Sequence, residues 1–302
     1  MAGKTIISRI NDTDVRLSNL AKVFWPEQGW CKRDLLAYYQ AVAPYLLPHL
    51  RNRPFTLVRY PDGINGKFFF QKECPASAPA WVKRYATLGD SGRKIIHYVL
   101  CNDLPTLIWL ANLGCIELHA WASSTDRIER PDFAVFDLDP EPPAGFADAL
   151  EVALLIRGVL AEFGLQGFPK TSGASGLHIN VPLRPEYSWE QVRSAVQYVA
   201  TLLVRIYPQR CTVERMVGKR TGKVYIDYLQ NGRGKTMACV YSVRPRPGAP
   251  VSTPLTWAEV ERSPDPADFN LVTLIQRLQA VGDLYAPVLT LPQKLEPILQ
   301  LV

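Results

Sequence analysis

The segment "PDFAVFDLDPEPP", residues 131–143, constrains the fold of this chain more than any other. An apolar run, 133–136, leads into two carboxylates, Asp137 and Asp139, and prolines follow at once. Alternate side chains of a strand leave the same face, so a strand here points both carboxylates one way. Proline cannot donate to a sheet ladder and ends the strand. The segment therefore predicts a buried strand that ends in two carboxylates on the same face.

Length and patterning predict a mixed α/β chain. With 302 residues, 47% of them hydrophobic, the chain can bury a large core. Periodicity predicts helices at 32–47, 103–114, 146–163 and 189–207, alternating with strands at 55–60, 67–71, 94–99, 132–138, 176–183 and 223–229. The Pro-rich stretch 242–254 predicts an extended strap before a helical tail around 256–281. We expect a single domain with approximate lobes 1–125 and 126–302.

Composition predicts neither a membrane protein nor a disulfide scaffold. No run of eighteen apolar residues occurs, and the N-terminus lacks the apolar core of a secretory signal. We therefore expect a cytoplasmic protein without a membrane partner. The six cysteines have no C-x-x-C pair and no nearby histidine, which predicts reduced thiols and no zinc site.

Basic and aromatic residues interleave over residues 51–72. The chain has 34 basic and 28 acidic residues, a net charge of +6. Within 51–72, Arg59 stands among cations, and Phe69 and Phe70 among rings. Cations for phosphates and rings for bases are typical of a surface that binds single strands or strand ends. A core strand with a solvated basic face explains the same pattern equally well.

A third carboxylate completes a candidate metal centre. Asp227 follows a second β-type run, 224–226, and faces Asp137 and Asp139 if the two strands are neighbours. Crowded carboxylates repel, and a divalent ion is the usual remedy. Oxygen ligands suit Mg²⁺ or Mn²⁺. Three acids can bracket two ions about 3.5–4 Å apart for an in-line phosphoryl displacement.

A Gly-rich loop between two β-runs predicts a phosphate-binding site. It contains Ser172, Gly173 and Ser175, and His178 follows at the start of the next strand. Glycines let backbone N–H groups approach an anion, and the serines add hydroxyl donors. His178 would donate to a triphosphate oxygen or assist a leaving pyrophosphate. A plain Gly-rich hairpin with a satisfied histidine is the alternative.

Other protein classes share parts of these motifs. "VFDLD" also begins haloacid-dehalogenase-type phosphatases, but Pro140 stands where those enzymes carry Thr or a similar residue. A D-x-D alone also occurs in glycosyltransferases. "GRGKT", 232–236, is not a P-loop, because that motif needs Gly where Leu229 stands. Arg233 and Lys235 remain either phosphate contacts or parts of an exposed turn.

The ordered motifs resemble the polymerase domain of bacterial DNA ligase D, within the archaeo-eukaryotic primase superfamily. The resemblance is carried by "LSNLAKVFWPEQGWCKRD", "FDLDP", "TSGASGLHINVPL", "IDYLQNGRGKT" and "YSVRPRPGAPVSTPL", in that order, and spans about residues 15–285. It implies a primase-like catalytic core of two closely packed lobes, with mixed or antiparallel sheets flanked by helices.

The resemblance also implies residue roles in the catalytic centre. The metal ligands would be Asp137, Asp139 and Asp227, with Mn²⁺ or Mg²⁺ as two ions. The nucleotide-binding residues would be Ser172, Gly173, Ser175, His178, Gln230, Arg244 and His119. At Ser175 many relatives carry Lys, which leaves one triphosphate contact open.

On the DNA side, Lys22 and Lys32 match lysines that grip a 5′-phosphate at a gap or break. Phe69 and Phe70 match rings that stack on the template, and Val58 stands where some relatives carry a basic residue near the DNA. Arg59 belongs to the same stretch.

The function implied is template-dependent nucleotide addition that fills gaps and ends during non-homologous end joining, with a preference for ribonucleotides. The implied partners are gapped DNA with a 5′-phosphate, NTP or dNTP, Ku and a DNA ligase, and the implied location is the nucleoid. The chain has no room for ligase and phosphoesterase domains, so it is a stand-alone version or an excised domain. A primase that starts chains de novo and a non-catalytic DNA-end-binding module remain alternatives.

Overall fold

The computed structural model describes residues 5–89 and 92–302. The chain divides into two compact units. Unit 1 contains residues 1–121, 236–252 and 267–282, and unit 2 contains residues 122–235, 253–266 and 283–302. The first boundary follows Trp121, and two later segments return to unit 1. A single cut at residue 125 therefore leaves 236–252 and 267–282 on the wrong side, because the strand at 236–238 pairs within the sheet of unit 1.

The strands of the described residues are β1 Thr5–Ile10, β2 Thr13–Ser18, β3 Val23–Trp25, β4 Trp30–Cys31, β5 Pro54–Arg59, β6 Phe69–Gln71, β7 Arg84–Leu88, β8 Ile95–Leu100, β9 Cys115–Trp121, β10 Phe133–Pro140, β11 Phe168–Thr171, β12 Leu177–Pro182, β13 Cys211–Thr212, β14 Val224–Ile226 and β15 Thr236–Ala238. The helices are α1 Lys32–Leu50, α2 Leu104–Asn112, α3 Phe146–Glu162, α4 Trp189–Ile206, α5 Trp257–Glu261, α6 Thr273–Val281, α7 Pro287–Thr290 and α8 Glu296–Leu299.

Unit 1 is built on an antiparallel sheet in the order β15-β9-β5-β8-β7, with β6 also paired to β5. Strand β5 is buried along most of its length, as expected for a central strand. Helices α1 and α2 pack together in this unit. The side chain of Asp103 accepts the N–H of Thr106 at 2.9 Å and caps the start of α2. Gly114, at φ +82°, lets the chain turn from α2 into β9.

Unit 2 is built on a sheet in the order β11-β12-β10-β14-β13. The pairs are antiparallel except for β13 with β14. Helices α3 and α4 both contact β10, the strand predicted from residues 131–143. Ser188 and Gln191 form a capping box that begins α4, in which each side chain accepts the other's backbone N–H. Strand β10, which carries Asp137 and Asp139, thus lies between β12 and β14, and α3 and α4 pack against it.

The predicted fold class is present, and the four helices predicted from periodicity all form with boundaries shifted by a few residues. Two predictions need correction. The strand predicted at 223–229 ends at Ile226, and residues 228–231 form a 3-10 turn in which the N–H of Leu229 donates to the Asp227 side chain. The tail predicted as helical over 256–281 is interrupted between α5 and α6, where a 3-10 turn lies at 266–268.

The cysteines and the apolar segments match an ordinary packed interior. Cys31, Cys74, Cys101, Cys115 and Cys211 are buried thiols. Burial raises the pKa of Cys115 to about 12 and that of Cys211 to about 11, which makes these thiols unreactive near neutral pH. Across residues 5–89 and 92–302, no helix has the length and hydropathy needed to cross a bilayer.

Candidate active site

Three carboxylates lie on one face of the sheet in unit 2. Strand β10 carries Asp137 and Asp139 two residues apart, so both side chains leave the same face. The N–H of Asp227 donates to the carbonyl oxygen of Asp137 at 2.8 Å, one position beyond the last register pair of β10 with β14. Asp227 is therefore the direct cross-strand neighbour of Asp137. The strand pairing on which the prediction for Asp227 was conditional is present, and it places the three acids on one face.

Asp137 and Asp227 are close enough for their charges to repel. Asp137 is buried, Asp227 is half-buried and Asp139 is exposed. Burial, and then the carboxylate of Asp137, raise the pKa of Asp227 above its usual value. The N–H of Leu229 and the hydroxyl of Tyr225 donate to Asp227 at 3.0 and 3.2 Å and partly offset this rise. A cation at this face would relieve the repulsion between the acids.

The donor set suits hard divalent ions. Carboxylate oxygens are the ligands that Mg²⁺ and Mn²⁺ prefer, and the acids of this face supply them from two neighbouring strands. Within the residues that the structure describes, no three His, Cys, Asp or Glu side chains stand ready-made around a metal position. Asp137 is instead engaged with His178, whose Nε2 lies 3.2 Å from its Oδ1.

A pocket of about 500 Å³ opens beside these acids. Its lining combines two of the carboxylates with a set of cations and polar groups. The lining residues are Asp139, Arg193, Arg215, Arg220, Tyr225, Asp227, Leu229, Gln230, Gly232 and Lys235. The volume falls within the range usual for small-ligand sites. Acids beside clustered cations can hold a polyanion together with divalent ions.

Some of the basic residues in the loops line this pocket and others do not. Lys235 lines it, whereas Arg233 pairs with Glu129 at 2.8 Å outside the lining. Arg220 is held over the ring of Tyr225 at 4.4 Å and lies 3.3 Å from Glu141. Sequence reasoning missed Arg215 and Arg220, although the basic run "RMVGKRTGK" could have indicated them.

The predicted phosphate loop is ordered around Ser172. Its Oγ accepts the N–H groups of Ala174 and Gly176 at 3.0 and 3.1 Å, so these two donors already have a partner. Gly173 has φ +71°, and a Cβ at Gly176 would stand 2.2 Å from a main-chain oxygen of β10. Ser175 is exposed at the tip. The glycines are thus required by local geometry, and the loop is a compact turn pressed against β10.

His178 is buried with both ring nitrogens engaged. Its Nε2 lies 3.2 Å from Asp137, and its Nδ1 lies 2.8 Å from Nζ of Lys170. A contact from His178 to a triphosphate would therefore have to replace the bond to Asp137. Lys170, which is only 2% exposed, was missed by sequence reasoning. The signal available was a lysine inside the apolar strand run that precedes the loop.

Two more predicted nucleotide-site residues cluster in unit 1. Arg244 Nε lies 2.7 Å from Glu117, and His119 Nε2 lies 3.5 Å from the same carboxylate. Burial of Glu117 opposes its ionisation, but His119 and the guanidinium groups of Arg244 and Arg246 outweigh burial and lower its pKa. Glu117 on β9, which sequence reasoning missed, therefore anchors both His119 and Arg244.

The predicted DNA-contacting residues also lie in unit 1. Lys22 forms an ion pair with Asp62, and the buried Lys32 donates to two main-chain oxygens at 2.8 and 3.0 Å. Burial, then the charges of Lys22 and Arg59, lower the pKa of Lys32 to about 8. Lys22 and Lys32 are adjacent, since the backbone N–H of Lys32 donates to the carbonyl oxygen of Lys22.

The aromatic part of this surface is solvent-exposed. Phe69 and Phe70 on β6 are 43% and 62% exposed, and the guanidinium of Arg59 lies over the ring of Phe69 at 5.1 Å. Phe68 stacks on Tyr60 with ring centroids 5.1 Å apart. Exposed rings beside cations are suited to stacking on bases next to phosphates.

Comparison with known proteins assigns the family. A model of the LigD primase-polymerase domain matches residues 31–285. The chain belongs to this family. Primase-polymerase domains are nucleotidyltransferases, so the enzyme class and the family expected from the sequence are confirmed.

Individual relatives agree with this assignment. The bifunctional non-homologous end joining protein LigD of Bacillus subtilis is 35% identical over 269 residues, which cover 89% of this chain and 43% of the relative. The multifunctional LigD of Pseudomonas aeruginosa is 35% identical over 277 residues, which cover 91% of this chain and 33% of the relative. The chain thus spans less than half the length of these curated relatives.

A solved structure supports the same fold. The polymerase domain from Mycobacterium tuberculosis ligase D, determined in complex with DNA, superposes with a TM-score of 0.84 at 31% identity. The alignment covers 92% of this chain and 98% of that chain. The α+β class with antiparallel sheets flanked by helices is confirmed for this LigD-type domain.

Proposed function

We propose that this LigD-type domain adds nucleotides to DNA 3′ ends in a template-dependent and metal-dependent reaction, at gaps and breaks processed by non-homologous end joining. The observation that carries the proposal is the convergence of Asp137, Asp139 and Asp227 on one sheet face, beside a pocket lined by cations. The relative of known structure was determined with DNA, and the named relatives act in end joining.

The acids would hold the two metal ions, Mg²⁺ or Mn²⁺. When bound, the ions supply activation of the primer 3′-hydroxyl and stabilisation of charge on the triphosphate. Asp227 is fixed for this task by its bonds from Leu229 and Tyr225, and Asp137 by its contact with His178. Fixed carboxylates lose little conformational freedom when they bind a cation.

The cations of the pocket would bind the triphosphate. Arg220 is positioned over Tyr225, and Lys235 and Gln230 line the same pocket. Charge-assisted hydrogen bonds from such groups to phosphate oxygens are the strong ones. Ser172 and the tip of its loop would add hydroxyl donors. His119 and Arg244, which belong to unit 1, are proposed separately as nucleotide contacts.

Residues of unit 1 would bind the DNA. Lys22 and Lys32 are adjacent cations suited to a 5′-phosphate, and Phe69 and Phe70 are exposed rings suited to the template. A preference for ribonucleotides, and Ku and a DNA ligase as partners, are part of the same proposal.

Primer extension tests the proposal. The substrate is a gapped duplex with a 5′-phosphate, supplied with NTP or dNTP and with Mg²⁺ or Mn²⁺. Asp227→Asn keeps an acceptor for the N–H of Leu229 and removes the charge, so extension should fall at least about 100-fold while DNA binding persists. The control is Asp265→Asn, an exposed acid of unit 2, which should extend at the wild-type rate. Equal extension by the Asp227 and Asp265 variants would reject the proposal.

The same assay examines the alternatives. Products formed on a single-stranded template without primer would point to de novo priming, and binding without any extension by the wild type would point to a DNA-end-binding module.

A further inference from the structure

A row of polar side chains crosses the sheet of unit 2. Lys170 on β11 is the register partner of His178 on β12, and His178 is the register partner of Asp137 on β10. Asp227, just past β14, is the next neighbour of Asp137. Directly opposed residues of paired strands point to the same face. The four side chains therefore form one line from a buried ammonium group to the acid pair.

The first three members of the row are deeply buried. Lys170, His178 and Asp137 are 2%, 5% and 7% exposed. A buried ammonium group is costly unless it is hydrogen-bonded, and Nζ of Lys170 lies 2.8 Å from Nδ1 of His178. A lysine ammonium group has three donors and no acceptor. With Lys170 in its charged form, Nδ1 of His178 accepts this hydrogen bond and carries no proton.

The protonation of Nδ1 determines that of the other ring nitrogen of His178, Nε2. A neutral imidazole with an accepting Nδ1 carries its proton on Nε2. This Nε2–H then donates to Oδ1 of Asp137, at the observed distance of 3.2 Å. The opposite tautomer would turn a lone pair of Nε2 toward a carboxylate, which is repulsive.

We propose that Lys170 is a positioning residue that fixes His178 as the Nε2–H tautomer, and through it holds the Asp137 carboxylate in one orientation on the acidic face. The importance of that orientation for catalysis rests on the proposed function, whereas the tautomer does not. The arrangement gives Lys170 a purpose that its place in an apolar strand run does not explain. Groups that orient a metal ligand are usually worth about 10- to 100-fold in metal affinity or activity, and Lys170 would orient Asp137 through His178.

The first test measures the tautomer in the unmutated chain. The sequence holds four histidines, so a ¹H–¹⁵N correlation spectrum of the imidazole rings is simple, and the signals absent from His178→Gln identify His178. The expected result is a protonated Nε2 and an unprotonated Nδ1. An Nδ1–H tautomer or a doubly protonated ring would overturn the proposal, whether or not the protein extends primers.

The second test measures function through a double-mutant cycle. Lys170→Met keeps the packing volume and removes the donor, and it should slow single-turnover nucleotide addition by about 10- to 100-fold. Lys294→Met, an exposed lysine of the same unit, should leave the rate unchanged. In the His178→Gln background, Lys170→Met should add less than about a twofold loss, because the two residues act as one unit.

The outcomes separate cleanly. An equal loss from Lys170→Met in both backgrounds would mean that Lys170 does not act through His178, and the proposal would fail. If Lys170→Met does not fold, as judged by circular dichroism, the tautomer of the wild-type protein decides. If the wild-type protein folds but extends no primer, the proposed function fails while the tautomer measurement still tests the role of Lys170.

Discussion

Asn231 provides a stringent test of how the acidic face is assembled. Its side-chain Oδ1 accepts the N–H of Val135 at 2.8 Å, and its Nδ2 donates to the carbonyl oxygens of Val135 and Tyr228 at 2.8 and 3.1 Å. Asn231 thus takes the place of a neighbouring strand along β10, beyond the point where β14 pairing applies. It ties the 3-10 turn that follows Asp227 to the strand that carries Asp137.

The substitution Asn231→Ala removes all three hydrogen bonds. Val135 is 1% exposed, so its N–H and C=O groups would be left buried without this partner. Each such group costs about 1–3 kcal/mol, which gives a total of about 2–6 kcal/mol, at the lower end if water enters. Because the turn would loosen, primer extension should also fall.

Two measurements check this prediction. Urea denaturation followed by tryptophan fluorescence gives the loss of unfolding free energy, and hydrogen–deuterium exchange should accelerate over Phe133–Pro140. The control, Asn65→Ala, changes an exposed asparagine of unit 1 and should alter stability by less than about 0.5 kcal/mol. A loss below about 1 kcal/mol for Asn231→Ala, with unchanged exchange, would refute the reasoning.

Three further predictions concern other parts of the molecule. In urea denaturation, Gly176→Ala should destabilise the protein by about 3 kcal/mol or more, because its Cβ would stand 2.2 Å from a main-chain oxygen. Gly158→Ala, inside α3 with nothing within 4 Å, should stabilise the protein by about 0.5–1 kcal/mol. Equal effects of the two substitutions would contradict this prediction. The pKa of Lys32 is about 8, so this side chain loses its proton between about pH 7 and 9. Over that range the preference for 5′-phosphate over 5′-hydroxyl DNA ends, measured by fluorescence anisotropy, should weaken by up to about tenfold. A preference that stays constant with pH would count against a phosphate contact. Replacing Phe69 or Phe70 by Ala should weaken template binding in the same assay by about 1–3 kcal/mol per stacked base, and unchanged affinity would remove the stacking role.

The sequence predicted the parts of this molecule that local patterns determine. The apolar run before Asp137 and Asp139 predicted β10, and the second run predicted β14, whose pairing with β10 was assumed rather than predicted. Helix α4 could be placed because its serine cap and its periodic apolar face are encoded within one segment.

Long-range contacts determined what the sequence could not predict. Lys170 and Glu117 are charged residues in strand positions. Pairing of β11 with β12 brings His178 to Lys170, and Arg244, which contacts Glu117, is distant from it along the chain. The turn after Ile226 was predicted as strand because its residues are apolar or neutral, yet the Asp227 side chain accepts the N–H of Leu229 and starts a 3-10 turn there. Segment 236–252 joins unit 1 through the pairing of β15 with β9, and segment 267–282 joins it through contacts of α6 with α1, neither of which periodicity encodes.

The most direct test of the metal-dependent mechanism is anomalous diffraction at the manganese edge, from crystals of this chain soaked with Mn²⁺ and a non-hydrolysable nucleotide. The account predicts two anomalous peaks in contact with the carboxylates of Asp137, Asp139 and Asp227, and their loss in Asp227→Asn. Nucleotide density without a manganese peak beside these three side chains would contradict the account.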